Sequence, residues 1–285
     1  MKNTSTHYTQ KIGDLIEKER LRQNISSKEL CRGLCNVSTY TRYKYNQITP
    51  DLLTLTALCD RLGFNIDDMY IACSEKEYLI VKKRTEIIYT AKVDSSKVSA
   101  LLDNYSNMKV KRGKTLCNQF ILLCKGILNI NDIPTATNYF QKAALLTNLD
   151  INTISTLSRL HDLELEIWIR LDELNDFQQL EQIYDYLDNL NDNNILKKKY
   201  FGHISYTLAN KLYETNDIEK SLLLTTKAIE YKRKIFQLKH FNILLELKNK
   251  LTNEDLSDSE KYILYTIESI NFINNEVFKN LDEQL

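Results

Sequence analysis

The chain has 285 residues, of which only 6 are Gly and 2 are Pro, whereas average usage would give about 20 and 14. β-Sandwiches, β-barrels and the glycine loops of nucleotide-binding α/β folds need these turn residues, so the composition argues against them and favours an all-α fold. The 38 basic and 38 acidic residues balance, which argues against a protein that coats a polyanion along its whole length.

Hydropathy indicates a protein without a membrane anchor. The sequence contains no run of 18 apolar residues, and its first seven residues are polar and lack the apolar stretch of a signal peptide. We therefore expect no membrane span and a cytoplasmic location. In that reducing compartment the six cysteines would be free thiols rather than disulfides. The hydrophobic fraction of 43% is sufficient for a packed core.

Basic residues are concentrated at the N-terminal end. Residues 1–45 hold nine Lys and Arg against four Asp and Glu, whereas residues 46–70 hold one against four. A positive end is suited to contacts with phosphates. A solvated helix face would carry a similar charge, so charge alone leaves both interpretations open.

Five short helices are predicted over the first 70 residues, because apolar residues recur at helical spacing and cap residues mark the helix starts. They cover residues 12–23, a short segment opened by the capping box Ser26–Glu29, about 37–45, 52–62, and a segment that begins near Ile66. Asn36 is the expected N-cap of the third helix. Pro50 is expected in the first turn of the fourth helix, which Gly63 ends.

This pattern resembles the helix-turn-helix domain of the Cro and repressor type. The matching residues are those from Ile25 to Cys31 and from Ser38 to Tyr43, with Pro50, Leu55, Leu58, Leu62, Gly63 and Ile66. In this resemblance Tyr40 and Tyr43 face the core, and Cys31 and Cys59 take positions where the family buries a small residue. The turn before the third helix is one residue shorter than in the commonest pattern.

The resemblance implies that one face of the third helix enters the major groove of double-stranded operator DNA. Arg42 could bond guanine bidentately, Ser38 could bond either base partner, and Val37 could touch a thymine methyl group. Lys44 stands where the family usually has Glu, so it either adds a phosphate contact or belongs to a different local ion pair. A helical bundle that kept the fold without binding DNA is the alternative. The predicted DNA-binding residues are Ser27, Lys28, Asn36, Val37, Ser38, Thr39, Arg42, Lys44 and Gln47, of which Ser27, Thr39 and Gln47 fall where the family contacts phosphates.

The remainder of the chain has the pattern of a helical repeat. Three polar breaks, each Asn-Asp followed by an apolar residue, begin at positions 131, 175 and 216, which are 44 and 41 residues apart. A period near 40 with a fixed break is typical of stacked helix pairs. Small residues near the first and third breaks resemble those of tetratricopeptide repeats, whereas Trp168 and Ile169 make the second copy degenerate. Five pairs are predicted, over residues 75–107, 112–148, 151–190, 195–232 and 236–282, in a right-handed solenoid with a concave face.

The two halves together resemble the Gram-positive peptide-responsive regulators of the Rgg, PlcR, PrgX and NprR group. The predicted organisation is a DNA-binding domain over residues 1–70, a linker helix or first repeat helix over 71–92, and a tetratricopeptide-like domain for peptide binding and dimerisation over 93–285. The resemblance implies a homodimer that binds two operator half-sites and responds to a short signalling peptide in the concave face, as in quorum sensing. The alternatives are a regulator whose repeats bind a partner protein and a scaffold that does not bind DNA.

Amide side chains are suited to holding a peptide backbone, because Asn both donates and accepts hydrogen bonds. Aligning the repeats on the shared break places Asn210 at the position that clamps peptide backbone in tetratricopeptide grooves. Asn and Tyr are abundant in this chain, so an ordinary surface role is the alternative for each candidate. The predicted peptide-binding residues are Asn118, Lys125, Asp162, Glu166, His203, Tyr206, Asn210 and Tyr213.

Neither catalysis, a cofactor nor a metal site is predicted. The sequence has no Cys-x-x-Cys pair, no HExxH motif, no nucleophile elbow and no phosphate loop, and its four histidines lie far apart. Cys31 and Cys59 are expected to fill the core as small apolar residues. A thiol redox role for Cys35 or Cys73 is the alternative use of the cysteines.

Overall fold

The computed structural model describes residues 4–63, 75–108, 113–155, 158–253, 257 and 260–267. All regular structure in these residues is helical, which confirms the predicted all-α fold. The helices are α1 (Thr4–Arg22), α2 (Ser27–Cys31), α3 (Val37–Lys44), α4 (Leu52–Leu62), α5 (Glu75–Val93), α6 (Val98–Ser106), α7 (Lys114–Leu128), α8 (Ile133–Leu145), α9 (Asp162–Leu174), α10 (Leu180–Asp188), α11 (Ile195–Glu214), α12 (Ile218–Lys234) and α13 (Phe241–Thr252). Residues 260–267 are also helical. None of the described helices combines the length and the apolar character needed to cross a membrane.

The first four helices enclose one apolar core. Its buried members are Ile12, Ile16, Ile25, Leu30, Cys31, Tyr40, Tyr43, Leu55, Leu58, Cys59 and Leu62. The predicted burial of Tyr40, Tyr43, Cys31 and Cys59 is therefore confirmed. Helix α1 begins at Thr4, earlier than the predicted start at residue 12. The predicted fifth helix, from Ile66, lies outside the described residues.

Two of the predicted helix ends agree with the structure in chemical detail. Ser26 Oγ accepts a hydrogen bond from the Glu29 N–H at 3.1 Å and so caps α2. Gly63 ends α4 with a φ of +79°, in the left-handed region that a residue without a Cβ adopts at little cost.

Two others differ from the prediction. Asp51 is the N-cap of α4, because its Oδ1 accepts the Thr54 N–H at 3.0 Å, and Pro50 therefore precedes the helix instead of lying in its first turn. Asn36 occupies the N-cap position of α3, but its side chain makes no capping hydrogen bond. For α3, the sequence therefore predicted the position of the N-cap residue but not the absence of its side-chain hydrogen bond.

The described helices follow the predicted pairs in chain order, and residues 268–282 of the fifth predicted pair lie outside the described residues. Close approach between paired helices explains the small residues at two seams. A Cβ on Gly126 of α7 would lie 2.3 Å from the ring of Phe140 on α8, so only Gly fits there. Between α11 and α12, the Ser221 hydroxyl donates to the Ala209 carbonyl at 2.7 Å.

The shared breaks cap two of the second helices. Asp132 and Asp217 are the N-caps of α8 and α12, and each carboxylate accepts a backbone N–H three residues later. The middle copy is different: Asp176 and Phe177 both have left-handed backbones, and α10 begins only at Leu180. The degeneracy predicted for this copy therefore extends to its break.

The chain divides into two compact units. The first comprises Met1–Gln179 and Asn193–Leu196, so the helix-turn-helix belongs to the same unit as α5 to α9. The second comprises Leu180–Asp192 and Lys197–Leu285. The predicted domain boundary at residue 70 lies outside the described residues, and the boundary at residue 92 stays a prediction.

Candidate nucleic-acid interface and peptide-binding face

One face of α3 is open to solvent while the opposite face is buried. Tyr40 and Tyr43 pack into the core, whereas Val37, Ser38 and Arg42 are exposed. Val37 keeps 45% of its surface accessible at the first position of the helix. Methyl groups, a hydroxyl and a guanidinium are the groups with which a helix reads base edges in a major groove.

The other predicted DNA contacts lie on α2, on α3 and in the segments beside them. Lys28, Asn36 and Gln47 are exposed, and Ser27 and Thr39 are partly buried. Among the residues that the structure describes, neither Lys28 nor Arg42 has an ion-pair partner, so both charges remain available to phosphate or base acceptors. Their contacts with DNA stay a prediction.

A charged cluster fixes α3 on α1. Glu17 accepts hydrogen bonds from Arg20 at 2.7 and 2.8 Å and from the Tyr40 hydroxyl at 2.7 Å, and Lys44 Nζ lies 2.8 Å from its Oε1. The hydrogen bonds from Arg20, helped by Lys44 and Tyr40, outweigh burial and lower the pKa of Glu17 to about 2. Lys44 therefore takes part in a local ion pair, which supports the second of its two predicted roles.

The helix-turn-helix is joined to α9 by a buried ion cluster. Arg61 Nη2 on α4 lies 3.0 Å from Glu164 Oε1, and neither side chain is exposed to solvent. Arg61 Nη1 also donates to the Leu30 carbonyl at 2.7 Å. Arg32, at the end of α2, lies 3.2 Å from the same carboxylate oxygen. One carboxylate thus holds two helices of the helix-turn-helix.

The backbone around Arg32 closes the same junction. Its guanidinium donates to the Thr147 and Arg159 carbonyls at 3.2 and 3.1 Å. The next residue, Gly33, has a φ of +68°, and a Cβ there would lie 2.3 Å from Thr147 Cα. Only Gly permits both this conformation and this approach. The turn between α2 and α3 therefore packs directly on the chain that follows α8.

Burial and charge give the cluster a defined protonation state. Burial alone would raise the pKa of Glu164, but the charges of His161, Arg61 and Arg32 lower it to about 2. Burial lowers the pKa of His161, the residue before α9, to about 4, so its imidazole is neutral at pH 7. At neutral pH one carboxylate therefore lies between two guanidinium groups.

Sequence reasoning missed Arg32, Arg61 and Glu164. The sequence feature that could have indicated them is a charged residue within a mainly apolar helix segment. Arg61 lies in the segment Leu-Thr-Ala-Leu-Cys-Asp-Arg-Leu, and Glu164 has Leu on both sides. Buried charges are rare unless they are paired, so two such residues of opposite sign were candidates for one contact.

The predicted peptide-binding residues occupy three helices. Asn118 and Lys125 lie two turns apart on α7, Asp162 and Glu166 lie one turn apart on α9, and the stripe on α11 holds His203, Tyr206, Asn210 and Tyr213. Each set follows one helix face. Their union into a single groove stays a prediction.

Some of these side chains already have partners within the chain. Glu166 pairs with Arg170 at 2.9 Å, and the Asn210 amide donates to Glu214 Oε1 at 2.7 Å. The His203 ring lies 5.2 Å from that of His240. The Asp162 N–H donates to Asp60 of the helix-turn-helix at 3.2 Å, so the first turn of α9 adjoins the junction with α4.

The cysteines of the described residues are free thiols, and Cys31, Cys59 and Cys117 are buried. Core filling is therefore confirmed for Cys31 and Cys59. Cys35 and Cys124 are partly buried, and Cys73 lies outside the described residues. No group of three or more candidate metal ligands comes together in the described ranges.

Comparison with known proteins identifies the architecture. No protein-family model and no curated protein matches the chain. Among solved structures, the crystal structure of Bacillus thuringiensis PlcR in complex with the peptide PapR7 and DNA matches with a TM-score of 0.50. The two sequences are 17% identical, and the match covers 95% of this chain and 98% of that one. The chain has the fold of PlcR.

The PlcR fold confirms the predicted architecture of a helix-turn-helix followed by tetratricopeptide-like helix pairs. It also confirms, at the level of the fold, the resemblance to the peptide-responsive regulator group. Since the match extends over nearly all of both chains, neither half of the prediction rests on a local similarity.

Proposed function

We propose that this protein is a sequence-specific transcription regulator that binds operator DNA as a homodimer and responds to a short signalling peptide. The observation that carries the proposal is the exposed face of α3, on a chain with the fold of a protein solved with both a peptide and DNA. The regulator would act in the cytoplasm, in a quorum-sensing circuit.

In this proposal α3 reads the major groove. Arg42 would bond a guanine, and Ser38 and Val37 would contact neighbouring base edges. Ser27, Lys28, Asn36, Thr39 and Gln47 would contact phosphates or sugars around that face. Two copies would place two α3 helices on two half-sites, about one helical turn of DNA apart.

An electrophoretic mobility-shift assay tests DNA binding, with duplexes selected from a random library by the full chain. Arg42→Ala should weaken binding to the selected sequence by about 5- to 150-fold and relax the preference at one base pair, because a bidentate contact discriminates by about 1–3 kcal/mol. Arg22→Ala is the matched control, since Arg22 is an exposed arginine of the same domain that pairs with Glu19. Failure of the full chain to select any sequence would contradict DNA recognition.

Calorimetry tests peptide control, with the peptide encoded by a small open reading frame beside the gene. Asn210→Ala and Asn118→Ala should each weaken the peptide, whereas Asn104→Ala on α6 should not, because Asn104 is an exposed amide outside the predicted stripes. If all three variants bind the peptide alike, the predicted face is wrong. If the chain binds DNA but no peptide, a partner protein becomes the better candidate for the repeat domain.

A further inference from the structure

Among the described residues of the second unit, one buried lysine has no counter-charge. Lys232 on α12 is only 1% exposed. Among the described residues its ammonium has two hydrogen-bond partners, the Lys198 carbonyl at 3.3 Å and Gln237 Oε1 at 3.2 Å, and both are neutral. Gly202 makes room for this side chain, because a Cβ there would lie 2.4 Å from Lys232 Cε. Burial of an ammonium is unfavourable unless an anion compensates it.

Two histidines and a second lysine lie on the elements beside Lys232. His240 precedes α13 with a left-handed φ of +64°, and its ring lies 5.2 Å from that of His203 on α11. The His240 Nδ1 atom is buried and has no hydrogen-bond partner among the described residues. Lys239 is the adjacent residue. Gly202 and Gln237, which lie beside the Lys232 side chain, are one and three residues from His203 and His240, so α11, α12 and the α12–α13 connection bring the three groups into one region.

The pKa shifts agree with this geometry. Burial, with the charge of Lys239, lowers the pKa of Lys232 to about 8. Burial, with the charges of His203, Lys239 and Lys232, lowers the pKa of His240 to about 4. Within the described part of the chain, no acidic group contributes to either shift. The folded protein thus holds these groups in a field that a bound anion would relieve.

A nearby feature of the same unit indicates which anion. His203, Asn210 and Glu214 share one face of α11, since they are seven and four residues apart. The stripe therefore has an imidazole at His203, next to the Gly202 contact of Lys232, an amide at Asn210 and a carboxylate at Glu214. The two ends are about 16 Å apart along the helix, which an extended chain of about five residues would span. An extended peptide has the matching polarity, with an anionic C-terminus and a cationic N-terminus.

We infer that Lys232, His240 and His203 form a carboxylate-binding site that takes the C-terminus of the signalling peptide. This inference rests on the proposed function, and it adds the direction of the peptide, with its N-terminus toward Glu214. A terminal carboxylate would accept hydrogen bonds from the lysine ammonium and an imidazole N–H. A peptide whose C-terminus is amidated would lose the charge that the site compensates.

The first experiment needs no peptide. The full chain, with ¹³C-labelled histidines, is titrated with N-acetylalanine, with N-acetylalanine amide and with inorganic phosphate at constant ionic strength. We expect saturable shifts of the His203 and His240 resonances with N-acetylalanine alone, while His161 in the first unit stays unchanged. Parallel shifts of all histidines, or a stronger response to phosphate than to the carboxylate, would overturn the site.

Two buried lysines of the second unit provide matched variants. Lys232→Met should weaken N-acetylalanine by about tenfold or more and raise the urea midpoint of unfolding, because it removes an uncompensated buried charge. Lys197→Met should lower the urea midpoint and leave the affinity for N-acetylalanine unchanged, because Lys197 is buried but pairs with Asp192 at 3.1 Å. His240→Asn retains a residue that tolerates the left-handed backbone and should also weaken binding. Full affinity in Lys232→Met and His240→Asn would overturn the inference.

A mixture of random pentapeptides then separates this inference from the proposed function. The full chain is incubated with the mixture as free acids or as C-terminal amides, and the retained peptides are measured by mass spectrometry. We expect the acids to be retained over the amides by about tenfold or more, and Lys232→Met to abolish the difference. Equal retention of acids and amides would overturn the inference and leave peptide control standing. Retention of neither, with N-acetylalanine still bound, would contradict peptide control and exclude a peptide C-terminus as the occupant.

Discussion

Arg61 and Glu164 form an ion pair of 3.0 Å in which neither side chain reaches solvent, although 103 residues separate them in the chain. Arg61 belongs to the helix-turn-helix and Glu164 to the first helix of the third repeat pair. The pair therefore fixes the helix-turn-helix on a repeat helix that also carries two predicted peptide contacts, Asp162 and Glu166. A domain attached only by a flexible linker would not need a buried charge at this junction.

Removing the carboxylate of this pair should destabilise the first unit strongly. Glu164→Gln leaves the fully buried guanidinium group of Arg61 without its ion-pair partner and leaves Arg32 with Glu29 alone, and we expect a loss of about 3 kcal/mol in the free energy of unfolding. Trp168, the single tryptophan, is buried on the same helix, so its fluorescence in urea reports on this unit. The unfolding midpoint should shift to lower urea.

Glu173→Gln is the matched control, because Glu173 lies on the same helix and pairs with Arg170 at 2.7 Å on a partly exposed surface. Such a pair contributes about 0.2–1 kcal/mol. Equal midpoints for the two variants would contradict a special role of the buried pair.

His161 should make the first unit sensitive to mild acid. Its pKa is about 4 in the folded protein, below the ordinary value of 6.5. Between these two values the unfolded chain binds more protons than the folded one, so stability decreases as the pH falls through this window. The slope is up to about 1.4 kcal/mol per pH unit, and the total is about 3 kcal/mol.

The measurement is urea unfolding of the wild type and of His161→Gln at several pH values from 7 to 4.5, above the range in which Glu164 titrates. The wild type should lose stability steadily, and the variant should show a much flatter profile. Parallel profiles would mean that His161 keeps its ordinary pKa in the folded chain.

The local elements of this fold could be predicted because their causes are local. The Ser26 cap, the Gly63 end and the helix starts after Asp132 and Asp217 each depend on a few neighbouring residues. The longer connection between α9 and α10 could not be predicted from the sequence, which indicated only a degenerate repeat. Asp176 and Phe177 adopt left-handed backbones there, and neither is the Gly that usually indicates this conformation.

The candidate sites could be predicted only as stripes on single helices. Periodicity places Asn118 and Lys125 on one face of α7, but it does not determine which faces of different helices combine. The junction of Arg61 with Glu164, and the uncompensated charge of Lys232, depend on which side chains the packing brings together. Arg61 and Glu164 were visible in sequence only as charged residues in apolar surroundings, whereas Lys232 lies in the charged run from Glu230 to Lys234, which gives no sign of its burial.

Replacing Gly126 at the α7–α8 seam with Ala should destabilise the protein, although replacing a helical Gly with Ala usually stabilises it. Gly126→Ala would ordinarily gain about 1 kcal/mol in helix propensity. Here the new methyl group would overlap the fully buried ring of Phe140 at 2.3 Å, and overpacking costs about 1–3 kcal/mol. We expect a net loss of stability in urea unfolding. In a chain that already carries Phe140→Leu, adding Gly126→Ala should cost less stability than it does in the wild type, because the smaller side chain leaves room for the methyl group. A Gly126→Ala variant more stable than the wild type would contradict the close seam.

A phosphate contact and a local ion pair, the two roles predicted for Lys44, differ in how they affect the salt dependence of DNA affinity. Each phosphate contact contributes about one unit to the slope of log affinity against log salt concentration. Lys44 is held 2.8 Å from Glu17, whose pKa of about 2 keeps that partner charged at any pH used for binding. We therefore expect Lys44→Ala to leave the slope unchanged for the selected duplex. Lys28→Ala, which removes an exposed charge of α2, should reduce it by about one. Equal reductions in the two variants would show that Lys44 leaves Glu17 and binds a phosphate in the complex.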